Sequence, residues 1–242
     1  MKIRVGTSGW SYTHWKGDFY PPNLPQKQWL GYLATRLDTV EINATFYRQP
    51  RPSTFRKWLD ETPGDFRFSI KANRFITHVK RLRDVRDSLV RFYGALEPLG
   101  EKIGALLFQL PPSLRYDPVL METFLDQLDP TRRTAIEVRH PSFLNEAFYR
   151  ELKGRNIAFC WSDTAGRYPY AERITANFLY VRLHGSPLLY RSAYSESFLE
   201  KLAEKLRATG RDAFVYFDND AESHAPKNAL FLKHALSVLS ST

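Results

Sequence analysis

Short hydrophobic runs punctuate this chain at nearly regular intervals. Eight of them, rich in β-branched and aromatic residues, have the length and composition typical of buried β-strands. They lie at residues 3–7, 39–42, 67–72, 105–109, 134–138, 158–161, 179–183 and 213–217. Successive runs are about 30 residues apart, which is the size of a strand with its crossover helix. The pattern therefore predicts a succession of βα units.

Several segments between these runs show helical periodicity. In the three clearest cases, apolar residues three and four positions apart form a stripe that would face the sheet. The stripes are Leu120, Phe124, Leu125 and Leu128; Leu199, Leu202, Ala203 and Leu206; and Leu232, Ala235, Leu236 and Leu239. Asp117 followed by Pro118 is a typical start signal, so we expect Asp117 to cap the first of these helices.

Eight βα units in a chain of 242 residues predict a (β/α)8 barrel, a TIM-like barrel of the α/β class, with residues 1–242 as a single domain. The weakest unit follows the sixth strand, because residues 164–177 contain Gly166 and Pro169 and no clean apolar stripe. We expect that helix to be missing or irregular. The alternative, a doubly wound open sheet, requires a Gly-rich phosphate fingerprint after the first strand, and the spacing there does not supply one.

Polar residues alternate with apolar ones in six of the predicted strands. In a barrel, one face of each strand packs on helices and the other lines the lumen. The polar face carries Glu41 and Asn43, Ser69 and Lys71, Gln109, Glu137 and Arg139, Arg182 and His184, and Tyr216 and Asp218. Active sites of such barrels lie at the carboxyl ends of the strands. We therefore expect these side chains to converge there, at the barrel mouth.

Composition is that of a globular protein without a disulfide framework. Of the 242 residues, 43% are hydrophobic and 25% are charged, and Cys160 is the only cysteine. These values exclude a disordered chain, an intramolecular disulfide and a cysteine zinc cluster. The apolar runs fall far short of the roughly 20 residues of a membrane helix, and the first residues lack the apolar core of a signal peptide. We therefore expect a cytoplasmic protein with no membrane partner.

The charge balance favours acidic partners, since 35 Lys and Arg residues stand against 26 Asp and Glu residues, a net charge of +9. Lys71, Arg139 and Arg182 lie on the lumen face near strand ends, where a carboxylate or phosphate can accept charge-assisted hydrogen bonds. We therefore predict a small anionic ligand at the mouth. The alternative is a buried network that neutralises itself, with Glu41 paired to Lys71 and Glu137 paired to Arg139.

A series of motifs appears in order along nearly the whole chain. They are Gly6-Thr7-Ser8-Gly9-Trp10 with Tyr12, Trp15, Gly17 and Phe19-Tyr20-Pro21; Glu41-Ile42-Asn43-Ala44-Thr45-Phe46-Tyr47; Lys71-Ala72 with Ile76-Thr77-His78 and Arg81-Leu82; Gln109-Leu110-Pro111-Pro112-Ser113; Glu137-Val138-Arg139-His140; Tyr180-Val181-Arg182-Leu183-His184-Gly185; and Asn219-Asp220 with Ala225, Asn228 and Ala229. Together they resemble the YecE-like family. The resemblance implies a TIM barrel catalogued as a domain of unknown function, and no established activity. Asp218 departs from the family pattern, where Asn is common, and Ser223-His224 replaces a turn containing Gly.

Four residues are candidates for chemistry at the mouth. Glu41 and Glu137 are the best candidates for a general acid or base, since a carboxylate in a desolvated site beside a cation can be tuned in either direction. His184 is a candidate proton shuttle or ligand. Lys71 could form a Schiff base if its pKa were lowered, but we expect the neighbouring Glu41 to keep it charged and therefore favour anion binding. Whether the protein is an enzyme stays open, with a hydrolase, a lyase and an isomerase as the classes that use acid-base chemistry.

Further candidate ligand-binding residues lie at strand ends and in the rim loops. Aromatic rings there can stack on a sugar or a base. Trp10 and Tyr47 are favoured for this role, whereas Phe19 and Phe46 are expected to pack within their loops. The polar candidates are Asn43, His78, Gln109, Asp163, Asn219 and Asn228.

No cofactor is predicted. The alternative is a divalent metal, Mg²⁺ or Mn²⁺, because hard cations prefer carboxylate ligands. Its ligands would be Glu41, Glu137, Asp163, His184 and Asp218. No tight spacing motif supports this metal site, and the interleaved cations would repel the ion.

Basic residues are concentrated in residues 67–91. They are Arg67, Lys71, Arg74, Lys80, Arg81, Arg83, Arg86 and Arg91, against Asp84 and Asp87. Such a run is usually a solvated helix face, but beside an aromatic rim it can follow a phosphate backbone. The alternative function is therefore a nucleic-acid-binding or nucleic-acid-processing barrel that uses this segment and the rim aromatics.

Overall fold

The computed structural model of the protein describes residues 1–239. In this range nine parallel strands form a nearly closed barrel, in the neighbour order β6-β5-β4-β3-β2-β1-β9-β8-β7. The strands are β1 (Ile3–Ser8), β2 (Thr39–Ile42), β3 (Arg67–Lys71), β4 (Ile103–Gln109), β5 (Thr134–Glu137), β6 (Ala158–Phe159), β7 (Trp161–Asp163), β8 (Phe178–Leu183) and β9 (Asp212–Phe217). The predicted TIM-like barrel is confirmed.

The sixth predicted strand, residues 158–161, differs from expectation because it is two short strands on either side of Cys160. β6 pairs with β5, and the Cys160 amide extends that pairing by donating to the Ile136 carbonyl oxygen at 2.9 Å. β7 pairs instead with β8. The chain therefore changes partner at Cys160, and this change brings the two ends of the sheet together.

Helices follow most of the strands. Those described are α1 (Trp29–Ala34), α2 (Ala44–Tyr47), α3 (Pro52–Asp60), α4 (Arg86–Leu96), α5 (Pro118–Leu125), α6 (Glu146–Gly154), α7 (Glu196–Ala208) and α8 (His224–Val238). Asp117 caps α5 as predicted, since its Oδ1 accepts a hydrogen bond from the Leu120 amide at 3.1 Å. Within residues 1–239, no helix combines the length and the apolarity that crossing a bilayer demands.

The segment between β7 and β8 contains no helix, as its sequence predicts. Residues 164–177 form turns and extended chain. A cavity of about 320 Å³ lies beside this segment, lined by Trp161, Tyr170, Val181 and Leu202 among others. The outer face of β7 and β8 is therefore incompletely covered where a regular unit of this barrel would place a helix.

The two faces of the sheet carry different residues, as the alternation predicts. Val5, Val40, Ile70 and Phe108 belong to the large apolar core between sheet and helices. A second, smaller apolar cluster lies inside the barrel: Ala105, Leu107, Ala135, Ala158, Cys160, Ala176, Phe178, Tyr180, Phe214 and Tyr216. The lumen is therefore packed in its middle, and charged side chains lie towards its two ends.

Candidate functional site at the barrel mouth

Arg182 occupies the centre of the mouth, with 1% of its side chain exposed. It extends from β8 and contacts three carboxylates. Nε lies 3.1 Å from both oxygens of Glu41, Nη1 lies 2.7 Å from Oε2 of Glu137, and Nη2 lies 3.1 Å from Oδ2 of Asp218. With a further contact from Nη1 to His184, all five N–H groups of the guanidinium have acceptors within reach.

Glu41, on β2, is held by neutral donors as well as by Arg182. The Ser8 hydroxyl donates to Oε1 at 2.6 Å, and the Tyr180 hydroxyl donates to Oε2 at 2.6 Å. Burial, followed by the charge of Glu41, raises the pKa of Tyr180, so this phenol stays protonated and donates. The Glu41 side chain is fully buried and its oxygens are saturated with donors.

Glu137, at the end of β5, is bound by two guanidinium groups. Arg139 contacts its Oε1 through Nε at 2.9 Å and Nη2 at 2.7 Å, while Arg182 contacts Oε2. Burial alone would raise the pKa of Glu137, but Arg139 and Arg182 outweigh it and hold that pKa well below its usual range. Glu137 is therefore ionised at neutral pH. The pairing of Glu137 with Arg139 that belongs to the alternative, self-neutralising network is present, together with one to Arg182 that the sequence does not indicate.

His184 and Asp218 are neighbours beside Arg182. Nδ1 of His184 lies 2.9 Å from Oδ2 of Asp218, and Nη1 of Arg182 lies 3.2 Å from Nε2 of His184. A guanidinium N–H can only donate, so this contact is a hydrogen bond in the tautomer that directs the Nε2 lone pair at Arg182. The His184 side chain is fully buried.

Lys71, at the end of β3, is the mouth cation without a carboxylate partner among residues 1–239. Its Nζ lies 4.5 Å from the centre of the Phe46 ring. Burial, followed by the charge of Arg182, lowers the pKa of Lys71 to about 8. The alternative pairing of Glu41 with Lys71 does not form, because Arg182, Ser8 and Tyr180 occupy the Glu41 oxygens. Glu41 consequently fails to hold Lys71 at its usual pKa.

His78 marks a positively charged part of the rim. It lies in a π-helical turn, Phe75–Val79, after β3, and its ring meets the Phe46 ring edge-on at 5.0 Å. Burial, followed by the charges of the neighbouring cations, lowers the pKa of His78 to about 4; the cations are Lys71, Arg74, Arg139 and Arg81. The half-buried His78 is therefore surrounded by cations.

Two polar candidates at strand ends have side chains with unused hydrogen-bonding capacity. Gln109 is the last residue of β4, with 8% of its surface exposed, and its side-chain amide makes no hydrogen bond within residues 1–239. The Oδ1 of Asn43 is buried and also lacks a partner in that range. An unpaired buried polar group is unfavourable unless a ligand or water completes it.

Three other candidates lie in a separate cluster. The Tyr194 hydroxyl donates to the Asp163 carboxylate at 2.8 Å, and the Tyr194 backbone N–H donates to the side-chain oxygen of Asn228 at 3.0 Å. The side-chain amide of Asn219 donates to the same Asn228 oxygen at 3.0 Å. These bonds fasten the loop between β8 and α7. Asp163, Asn219 and Asn228 are therefore not brought to the Arg182 centre.

The rim aromatics occupy different environments. Trp10 meets Trp58 edge-on at 5.1 Å, and Tyr47 is 73% exposed. Phe46 packs edge-on against Tyr47 at 5.0 Å, and its ring also contacts Lys71 and His78. The sequence does not distinguish the position of Phe46 from that of Tyr47. The short helix α2, which turns Phe46 towards Lys71 and His78, is not apparent from apolar spacing.

The mouth carboxylates converge on a guanidinium rather than on an open position. Glu41, Glu137 and Asp218 all face Arg182, whereas Asp163 is bound by Tyr194. Accordingly, no group of three or more potential metal ligands is assembled anywhere in residues 1–239. The Mg²⁺ or Mn²⁺ alternative has no such cluster to use in this part of the chain.

Comparison with known sequences finds relatives along the chain. A family model described as "Protein of unknown function DUF72" matches residues 4–241. The UPF0759 protein YecE of Escherichia coli (strain K12) is 37% identical over 157 residues, which is 64% of this chain and 55% of the relative. The match thus spans about half the length of that protein. The UPF0759 protein YunF of Bacillus subtilis (strain 168) is 25% identical, covering 98% of this chain and 95% of the relative.

Comparison with solved structures finds the same barrel. A DUF72 family protein from Thermotoga maritima superposes with a TM-score of 0.87 at 31% identity, covering 98% of this chain and 100% of that one. A DUF72 family protein from Enterococcus faecalis superposes with a TM-score of 0.82 at 19% identity, covering 97% and 95%. A methyltransferase from Methanosarcina mazei has a TM-score of 0.52 at 11% identity, covering 98% and 94%, which is a likeness of fold alone.

Proposed function

The chain belongs to the DUF72 family of proteins of unknown function, and we propose that it binds a small molecule with a carboxylate or phosphate group at the mouth of its barrel. The observation that carries this proposal is the partly buried Lys71, whose ammonium has no carboxylate partner among the described residues. The carboxylates around it already have donors from Arg182, Arg139, Ser8 and Tyr180. An anion from solution would supply the acceptor that the Lys71 ammonium lacks.

The positive field around His78 supports an anion over a cation or a neutral sugar. Lys71, Arg74, Arg81 and Arg139 all lower the pKa of His78, after the effect of burial. The Lys71 ammonium, the unused amide of Gln109 and the remaining N–H groups of Arg139 would donate to the ligand. Phe46 and Tyr168 would flank it, since Lys71 lies over the Phe46 ring and Arg139 lies 4.4 Å from the Tyr168 ring centre.

For Arg182 we propose a role different from the one its sequence position suggests. Its five N–H groups are engaged by Glu41, Glu137, Asp218 and His184, so none is left to bind the ligand directly. We assign Arg182 the positioning of the mouth carboxylates. By the same reasoning, Glu41 and Glu137 serve as anchors for Arg182 rather than as the proton donor and acceptor of a reaction.

A second candidate function is imine formation at Lys71 with a small aldehyde or 2-oxo acid. What favours it is the pKa of Lys71, lowered to about 8 by burial, which leaves about a tenth of the amine neutral at pH 7. The neutral Nζ would add to the carbonyl carbon, and water would leave as the imine forms. Borohydride would reduce that imine to a stable secondary amine, detected as a mass increase in the wild type that Lys71→Met lacks.

The nucleic-acid alternative has weaker support. Arg67 begins β3 and Lys71 ends it, so two of the eight basic residues of 67–91 lie at opposite ends of the barrel. Arg81 donates to the Ser113 hydroxyl at 2.8 Å and to its carbonyl oxygen at 2.9 Å. The segment therefore does not form one continuous track. This alternative requires oligonucleotide binding that falls steeply with salt.

A ligand panel tests the mouth proposal. The wild type, Lys71→Met and a matched control, Lys153→Met on the exposed side of α6, would be titrated by calorimetry with small carboxylates and phosphomonoesters at constant ionic strength. We expect at least one compound to bind the wild type and Lys153→Met, and to bind Lys71→Met about tenfold or more weakly. Equal affinity for Lys71→Met, or no binding to any compound, would contradict the proposal.

A further inference from the structure

The amino end of the barrel, opposite the mouth, carries a cluster of four arginines. Arg4 lies near the start of β1, Arg67 begins β3, and Arg132 and Arg133 precede β5. All four line a cavity of about 240 Å³. The mouth site lies at the other ends of the same strands, so this cavity has no part in the proposed function.

Arg4 is buried there without a partner. It is 9% exposed, and its Nε is buried with no hydrogen-bond partner in residues 1–239. No carboxylate of that range lies within ion-pair distance of it. Its guanidinium carbon is 5.7 Å from the centre of the Phe214 ring, which closes the lumen beneath it. A buried cation that lacks an acceptor is costly, so its persistence points to an acceptor supplied from outside the chain.

The acids around the cavity do not balance its four guanidinium groups. Oδ2 of Asp212 lies 2.9 Å from Nη2 of Arg133, and Oδ2 of Asp129 lies 3.7 Å from Nε of Arg132. Glu101, which is exposed, is the carboxylate among the cavity-lining residues. Burial, followed by the charge of Arg67, lowers the pKa of Arg4, which reflects the same excess of positive charge.

Arg67, the fourth arginine of the cluster, also lacks an acidic partner in the described chain. Arg67 donates through Nη1 to the carbonyl oxygens of Gly64 and Phe66, each at 3.0 Å. Those bonds hold the side chain at the edge of the cavity and leave its other N–H groups available. Arg4 and Arg67 therefore offer two guanidinium groups that no carboxylate of residues 1–239 neutralises.

We propose that this cavity binds a phosphate group, either as inorganic phosphate or as the phosphomonoester of a small metabolite. Planar guanidinium groups match the oxygen spacing of a tetrahedral oxyanion and donate to it in pairs. A volume of 240 Å³ corresponds to about eight water molecules of bulk liquid, enough for the oxyanion and a small substituent. Arg4 would donate from beneath, and Arg67, Arg132 and Arg133 from the sides.

Calorimetry and thermal denaturation in phosphate-free buffer test this site. Inorganic phosphate and β-glycerophosphate would each be titrated at constant ionic strength, with chloride as the reference. We expect either ligand to raise the melting temperature of the wild type in a saturable manner. Arg132→Gln should weaken that binding about tenfold or more, because it removes charge-assisted hydrogen bonds without disturbing the interior. Tighter binding of the ester identifies a phosphomonoester, and tighter binding of the free ion identifies inorganic phosphate; both support the proposal.

Three further variants separate this site from the mouth and from a structural role. Arg150→Gln, an exposed arginine on α6, removes the same charge elsewhere and should leave phosphate binding unchanged. Lys71→Met should retain the phosphate effect. Arg4→Met should abolish it while unfolding no more easily than the wild type in chloride, since the buried unpaired cation is gone.

Three results would overturn the proposal. One is a phosphate effect no larger than that of chloride. Another is an effect lost in Lys71→Met and kept in Arg132→Gln, which would assign the phosphate to the mouth. The last is displacement of bound phosphate by a single-stranded oligonucleotide that binds more tightly than β-glycerophosphate, which would assign the arginine cluster to nucleic acid.

Discussion

The guanidinium of Arg182 and the carboxylate of Glu41 meet across the barrel interior, with Nη2 2.8 Å from Oε1 and both side chains almost completely buried. Two strands, β1 and β9, separate the β8 and β2 strands that carry them. Arg182 also contacts Glu137 on β5, so one guanidinium connects strands β8, β2 and β5. This network sets the shape of the mouth.

Removal of the central cation should be strongly destabilising. Arg182→Met keeps much of the side-chain volume but leaves the buried Glu41 and Glu137, and the partly buried Asp218, without their common partner. We expect a loss of about 3–5 kcal/mol in the free energy of unfolding. Urea denaturation would measure it, with Arg150→Met as the exposed control. A loss no larger than that of the control would contradict the role of Arg182.

Protonation of Glu137 should contribute to acid denaturation. Arg139 and Arg182 outweigh burial and lower its folded-state pKa, so its stabilising contribution is complete above the unfolded-state pKa of about 4.3 and is lost as the pH falls below it. The free energy of unfolding of the wild type should therefore fall steeply below about pH 5. Glu137→Gln should show a shallower fall, whereas Glu122→Gln, an exposed control on α5, should follow the wild type. Parallel curves for all three proteins would refute the lowered pKa.

The titration of Lys71 should appear at alkaline pH. Its folded-state pKa of about 8 lies below the unfolded-state value of about 10.4, so the unfolded chain binds more protons between these values. Stability from this residue therefore rises with pH across that window. Ligand binding at the mouth should weaken above about pH 8, as the ammonium loses its charge. Lys71→Met should remove both effects, and Lys153→Met should retain them; an unchanged pH profile in Lys71→Met would argue against this titration.

The two buried tyrosines of the lumen should differ in what their hydroxyls contribute. The Tyr180 hydroxyl donates to the carboxylate of Glu41, whereas the Tyr216 hydroxyl contacts the hydroxyls of Thr39 and Ser69. Hydrogen bonds to a charged group contribute about 1.5–3 kcal/mol and neutral ones about 0.5–1.5 kcal/mol. Tyr180→Phe should therefore destabilise the protein more than Tyr216→Phe in chemical denaturation. The reverse order would show that the carboxylate network does not dominate the lumen.

Gly6 should be intolerant of a side chain. A Cβ at this position would lie 1.9 Å from the carbonyl oxygen of Thr39 on the neighbouring strand. Gly6→Ala should therefore cost more than about 3 kcal/mol, because backbone on both sides must shift. Gly154→Ala, with nothing within 4 Å of the added Cβ at the end of α6, should be neutral or stabilising by up to about 1 kcal/mol. Equal melting temperatures for the two variants would contradict the close approach at Gly6.

Local sequence patterns were sufficient to predict the architecture of the barrel. The strand runs, the cap at Asp117 and the irregular segment 164–177 all appear where the sequence predicts them. Alternation also assigns Glu41, Glu137 and Arg182 to the lumen face. Each of these features depends on residues close together in sequence, so periodicity and capping chemistry suffice to predict it. The exception is Cys160, where the strand changes partner, because partner choice is not a local property.

The partners within the mouth were decided only by the tertiary structure. Alternation brings Lys71 and Arg182 to the same face as Glu41, but the carboxylate binds Arg182, 141 residues away in sequence, and Lys71 is left without a carboxylate. Asp163, Asn219 and Asn228 likewise fasten a loop around Tyr194 instead of joining the Arg182 centre. The physical reason is that ion pairing depends on distances across the lumen. Those distances follow from the closure and tilt of the whole barrel and from the reach of each side chain, which no single strand encodes.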